Sequence, residues 1–194
     1  MSYPNLSALL EAIIYLARDP VSVDSIKKAL PDIDPREIEE GIAALLEEYR
    51  QPRHGIEVRE VAGGLRFSTK PEHHELLRTF LQAQTPATRL SLAALETLAV
   101  IAYRQPVTVP EVQEIRGVQA SGVIKTLLDK KLVATAGRKE VLGRPILYKT
   151  TREFLIHFGL KDLSDLPSME EFEELIKNQA EADEVIRTEI ELPS

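Results

Sequence analysis

Ala17-Arg18-Asp19-Pro20-Val21-Ser22-Val23 and, 86 residues later, Tyr103-Arg104-Gln105-Pro106-Val107-Thr108-Val109 decide how this chain folds. Each stretch follows a strongly apolar helical pattern. Each stops that helix at a proline, which lacks the N–H to continue it. Each then offers a hydroxyl side chain as the N-cap of a polar helix. A period of this size is that of a domain, not of a solenoid repeat.

Around the first copy, Leu6, Leu9, Leu10, Ile13, Leu16 and Ala17 recur at helical spacing. Ser22 opens a second helix through Leu30, and Asp34-Pro35-Arg36-Glu37 opens a third, with Ile38, Ile42, Leu45 and Tyr49 on one face. Two β-leaning runs from Gly55 to Thr69 flank Gly63-Gly64, expected to be a hairpin turn. A helix with Leu76, Leu77, Phe80 and Leu81 follows.

The second copy repeats the plan from Ser91, with Leu92, Leu95, Leu98, Ala99 and Ala102 on the first helix. Thr108-Val-Pro-Glu111 reads as a capping box. A third helix is expected from about Gln119 to Lys131, with Val123, Leu127 and Leu128 inward. A hairpin of Leu132–Ala136 and Ile146–Thr150 follows, and Thr150-Thr-Arg-Glu153 is expected to cap a closing helix.

Three helices and a hairpin, twice, is a helix-turn-helix with a β wing behind it. The expected fold is mainly α with small β wings (α+β): two tandem winged-helix domains at 1–82 and 90–167. A polar linker at 83–89 joins them, and an acidic, disordered tail covers 168–194. Residues 168–179 allow one or two amphipathic turns through Met169, Phe172, Leu175 and Ile176.

Charge divides the same way. The net −7 of the 194-residue chain is carried by residues 169–194, which hold nine acids and two bases. Residues 1–85 hold ten bases and fourteen acids, and residues 86–168 hold twelve and eight. An acidic domain is thus joined to a basic one, and the acidic tail has the charge to mask the basic wing until a partner displaces it. Zero cysteines exclude disulfides, thiolate metal sites and a Cys nucleophile. The start Met-Ser-Tyr-Pro-Asn has neither a basic segment nor an apolar one after it, so no signal peptide and an intracellular location are expected.

Leu90-Ser-Leu-Ala-Ala-Leu-Glu-Thr-Leu-Ala-Val-Ile-Ala-Tyr-Arg-Gln-Pro-Val-Thr108 resembles the signature of the segregation and condensation protein B (ScpB) family. Ile115-Arg-Gly-Val118, Gly137-Arg-Lys-Glu-Val-Leu-Gly-Arg-Pro-Ile-Leu-Tyr148, Thr150-Thr151 and Glu153-Phe-Leu…Phe158-Gly-Leu belong to the same resemblance, which spans about residues 6–167. It implies two winged-helix domains, a homodimer formed largely through the first, and binding of the kleisin subunit ScpA. Through ScpA the chain would join an SMC complex that condenses and segregates the bacterial chromosome, in the cytoplasm and associated with the nucleoid. Val109-Pro110 departs from the family pattern, which has a more polar pair there.

Residue chemistry bears on this expectation. Helix three of the first copy, Asp34–Arg50, carries six acids and two bases, and Glu40, Glu47 and Glu48 on its outer face would repel phosphates. The second copy offers Lys125, Lys130 and Lys131 on its third helix and Arg138, Lys139, Arg144 and Lys149 on its wing. These cations suit DNA phosphates or an acidic protein segment, and Arg138 and Arg144 also suit loop carbonyls. A transcription regulator using this basic wing is the competing reading.

Kleisin contact is expected at Tyr103, Arg104, Arg138, Arg144 and Tyr148, and dimerisation at Leu9, Ile13 and Leu16. Phosphate or acidic-ligand contacts are expected at Lys125, Lys130, Lys131 and Lys139. Adjacent His73 and His74 diverge on a helix and do not make a metal pair. Gly137 to Gly143 has the wrong spacing for a phosphate loop. No catalytic site, metal or cofactor is expected, nor a membrane span.

Overall fold

A computed structural model describes residues 5–84, 90–168, 171, 172 and 174. They form two compact units. One holds the chain up to Thr88 together with Leu155–Asp162; the other holds Arg89–Phe154 and the residues from Leu163 on. The expected boundaries assigned all of 90–167 to the second domain, so Leu155–Asp162 is a difference. Its tie is specific: Ala62 N–H donates to the Leu160 carbonyl at 2.9 Å, and Lys161 pairs with Glu60 at 3.0 Å.

In the first unit, α1 (Leu6–Leu16), α2 (Val23–Ala29) and α3 (Pro35–Arg50) precede a hairpin of β1 (Ile56–Val61) and β2 (Gly64–Thr69), followed by α4 (His74–Gln84). The caps are local chemistry. Asn5 accepts from Ala8 N–H, Ser22 from Ser25 N–H and Asp34 from Arg36 N–H, each satisfying an otherwise orphaned donor. Leu10, Ile14, Ile26, Ile38, Ile42 and Leu45 make the core. Tyr49 closes one end, its ring against His54 and Phe67. Lys70 is 6% exposed; its ammonium donates to the Gln51 and Arg50 carbonyls at 2.6 and 3.3 Å and so caps α3 at its negative end.

The β1–β2 turn corrects the sequence expectation of Gly63-Gly64. Its two residues are Ala62 (φ +50°) and Gly63 (φ +70°), both left-handed, as a tight hairpin with right-twisting strands requires. Gly64 instead opens β2, pressed against the strand-like residue after the first proline. A Cβ there would lie 2.7 Å from the backbone carbonyl of Pro20 and 2.9 Å from Val21 N. That closeness permits the bridge in which Val21 and Leu65 exchange N–H···O=C bonds of 3.0 and 2.8 Å.

The second unit repeats the order: α5 (Leu92–Arg104), β3 (Val107–Thr108), α6 (Val109–Arg116), α7 (Ser121–Asp129), β4 (Val133–Arg138), β5 (Ile146–Thr150) and α8 (Arg152–Phe158), whose later residues group with the first unit. Here the residues after the second proline form a true strand, and the antiparallel sheet runs β3-β5-β4. The Thr108–Glu111 capping box is present. On α7 the buried pair is Ile124 and Leu127, while Val123 and Leu128 are half-buried, a rotation of the inward face from the expected one. Thr151, not Thr150, caps α8, accepting from Phe154 N–H at 3.2 Å. Thr150 is engaged by Gln105. The linker residues 85–89, and most of the tail read as disordered, lie outside the described residues.

Gly64→Ala forces the Pro20–Val21 backbone away from β2. It is expected to lower first-unit stability by about 1–3 kcal/mol, the usual range for overpacking. Denaturant titration with unchanged slope checks this, and a neutral result would refute the close-approach account.

Candidate partner-binding surfaces

The motif residues fall into two groups once the second unit is built. Gln105, which follows α5, accepts from Thr150 N–H and its hydroxyl at 2.8 and 2.9 Å, and its own amide donates to the Ala102 carbonyl. Arg116, with a side chain only 10% exposed, pairs with Glu96 and donates to Thr97 Oγ1 at 2.7 Å and to the Ala93 carbonyl at 3.1 Å, tying α6 to α5. Neither residue was singled out from sequence. Both sit inside the quoted motifs, and an Arg or Gln there has no apolar period to advertise a structural role.

Tyr148, expected at the kleisin contact, is instead a core residue, 8% exposed and paired across the sheet with Val107 and Thr135. Arg138 donates to the Arg144 carbonyl at 2.9 Å and so holds the wing loop. This is the loop-carbonyl role weighed from sequence. Arg144 pairs with Glu140 at 3.0 Å, both largely exposed. Lys139 reaches back to Glu111, whose carboxylate also accepts from the Thr108 N–H and hydroxyl. The Lys139 ammonium first, and then Thr108, hold the Glu111 carboxyl at about 2.

What remains outward on the wing is Val141 and Leu142, the latter fully exposed, between the cations Arg138, Lys139 and Arg144. Lys125, Lys130, Lys131 and Lys149 are exposed and carry no ion pair among the described residues. Arg104 is exposed beside Tyr103. Tyr103 itself is half-buried, its hydroxyl donating to the Pro167 carbonyl.

On the first unit, Leu9 and Ile13 pack against the core and only Leu16 of the three dimer candidates points outward. The outer face of α1 is nonetheless apolar: Ala8, Ala12, Tyr15 and Leu16 are exposed, Tyr15 by 79% and Leu16 by 83%. Sequence reasoning missed Tyr15, which the stripe of leucines and isoleucines obscured. The acids of α3 are partly neutralised, Glu47 by Arg50 and Glu48 by Arg53 and His54. His54 and then Arg53 hold the Glu48 carboxyl below its ordinary range.

Among the described residues no group of His, Asp and Glu is placed to hold a metal, and no helix is long and apolar enough to cross a membrane.

The family model described as "Segregation and condensation complex subunit ScpB" matches residues 8–169. Segregation and condensation protein B of Moorella thermoacetica is 48% identical over 178 residues, covering 92% of this chain and 90% of that one. The chain belongs to the ScpB family. The counterpart from Syntrophotalea carbinolica is 47% identical, covering 91% of this chain and 88% of its own. The crystal structure of ScpB from Mycobacterium tuberculosis is 31% identical, with coverage of 82% and 98% and a TM-score of 0.39. The family is described as a subunit of a segregation and condensation complex.

The depressed Glu111 carboxyl has a pH signature. Its folded pKa lies below the ordinary glutamate value of 4.5, so its stabilisation is fully present above pH 4.5 and disappears as pH falls toward 2. Glu111→Gln is expected to flatten the decline in thermal midpoint of the second unit across that window. An identical acid limb in wild type and variant would remove the Lys139–Glu111 tie from the account.

Proposed function

We propose that the chain is a non-enzymatic adaptor: two winged-helix domains, dimeric through the first, binding the kleisin ScpA chiefly through the second. DNA association is then indirect, through the assembled SMC complex at the nucleoid. The observation that carries this reading is the bare apolar face of α1. A side as apolar as Ala12, Tyr15 and Leu16 on a helix whose other side is already in a core suits burial against a second copy. On the second domain, Arg104, Lys125, Lys130, Lys131 and the wing around Leu142 combine cations with exposed apolar groups, the complement of an acidic amphipathic kleisin segment. The acidic α3 disfavours groove reading by the first domain.

Light scattering at micromolar concentration, alone and after co-purification with the kleisin, tests the reading. The wild type is expected to be a dimer in both states. Tyr15→Glu with Leu16→Glu is expected to weaken self-association by about 100-fold or more, the loss from unburying two large apolar side chains. A monomeric wild type would overturn the dimer.

Fluorescence anisotropy with duplex DNA separates the regulator reading. Several phosphate contacts would make affinity fall by about 10³-fold between 50 and 200 mM salt. Only weak, sequence-indifferent binding is expected. Tight, sequence-selective binding by the isolated protein would overturn the adaptor.

A further inference from the structure

The turn from α7 into β4 gathers cations at one end of the second unit. α7 ends at Asp129, Lys130 caps it, and Lys131 turns the chain toward β4 with a left-handed φ of +59°. The end of β5 is fastened to the same turn. Thr151 Oγ1 donates to the Lys131 carbonyl at 2.6 Å, and Thr151 N–H donates to the Leu132 carbonyl at 3.3 Å. Lys149, two residues earlier, is the cross-strand partner of Ala134 in β4. Lys125 lies five residues before Lys130, on the exposed side of α7. All four lysines are exposed, and among the described residues none makes an ion pair or a side-chain hydrogen bond. Their exposed acidic neighbours in the chain are Asp129 and Glu153.

What surrounds these lysines selects the kind of ligand. Among the described residues, no large apolar side chain is exposed between Gln119 and Glu140 or between Gly143 and Phe154. A protein segment needs such a residue, because interface energy concentrates in buried aromatic and aliphatic anchors and lysine is depleted at interface cores. A phosphate backbone does not. Its oxygens accept from point charges, and each ammonium that reaches one releases condensed counterions. The exposed side of α7 (Ser121, Gly122, Lys125, Thr126 and Asp129) also lacks the Arg, Asn and Gln that grip base edges through paired hydrogen bonds. The surface thus has charge for a duplex and little with which to read it.

We propose that Lys125, Lys130, Lys131 and Lys149 form a phosphate-binding surface that holds duplex DNA weakly and without regard to sequence. This goes beyond the adaptor reading, adding a direct contact to the indirect association through the assembled complex. A few phosphate contacts are too weak to localise the chain alone. Inside an assembly already on DNA they add to its hold, because the local concentration of phosphates is then high.

The full-length chain is titrated into two labelled duplexes of the same composition and different sequence, with anisotropy as the readout. Four phosphate contacts predict an affinity that falls by about 100-fold between 50 and 200 mM salt, equally for both duplexes. A neutralised variant carries Lys125→Gln, Lys130→Gln and Lys149→Gln with Lys131→Asn, asparagine being tolerant of the left-handed backbone there. It is expected to lose about 10-fold or more in affinity at 50 mM salt and most of the salt dependence. Replacing the same four lysines with arginine keeps the charge and is expected to keep binding. Asp129→Asn removes a carboxylate beside the cluster and is expected to raise affinity by about 2- to 5-fold, a gain that misfolding cannot produce. No binding by the wild type at 50 mM salt, a preference between the duplexes, or unchanged affinity and salt dependence in the neutralised variant would each overturn the proposal. Capture of the kleisin lost in that variant while DNA binding persists would assign the lysines to an acidic protein instead.

Discussion

The backbone pairing just after each proline is the constraint on which both units depend. Each unit has a helical half and a β hairpin, and something must bind one to the other. Here it is Val21 exchanging two hydrogen bonds with Leu65 in the first unit, and Val107 and Thr108 laddered to Tyr148 and Leu147 in the second. The proline halts the first helix, the next residue pairs with the wing, and the hydroxyl one or two positions on starts the next helix. One short stretch therefore ends one element, anchors a second and begins a third. The two units solve the spacing differently: glycine at position 64 admits the Pro20 backbone in one, while Gln105 bonds across to Thr150 in the other.

Much of this architecture was legible in the chain because helices announce themselves by period and cap. The order of helices followed from Ser22, Asp34 and Thr108 together with the apolar spacing between them. The residues that escaped are those whose role is set by tertiary neighbours. Nothing local distinguishes Gly63 from Gly64, yet one supplies a positive φ and the other a space. Tyr148 alternates correctly for a strand, but which face of a three-stranded sheet is buried depends on what packs there. Arg116 looks like a surface cation until α5 supplies Glu96, Thr97 and the Ala93 carbonyl around it. Leu155–Asp162 carries no boundary signal at all; its grouping with the first unit comes from a backbone bond to Ala62.

The candidate surfaces were partly legible for the same reason. Counting cations located the basic domain but could not separate those already employed. Lys139 and Arg138 brace the wing through Glu111 and the Arg144 carbonyl, whereas Lys125, Lys130, Lys131 and Lys149 carry no ion pair among the described residues. A cation already paired brings little new attraction to a ligand, because forming one contact breaks another. The second set is the electrostatic surface available to a partner, and it is smaller than the formal charge implies.

Apolar exposure adds what charge cannot. Electrostatic complementarity sets approach and register, while anchoring comes from apolar groups that enter a pocket or face a ring. In this chain the exposed apolar groups include Tyr15 and Leu16 on α1 and Leu142 at the wing tip, and the half-buried Tyr103 ring stands at the end of α5. Among the described residues Tyr15, Leu16 and Leu142 are exposed, and the Tyr103 ring is met edge-on by Phe172. Tyr15, Leu16 and Leu142 therefore offer a partner apolar area that charge alone cannot supply, whereas the Tyr103 ring already has an intramolecular neighbour in Phe172.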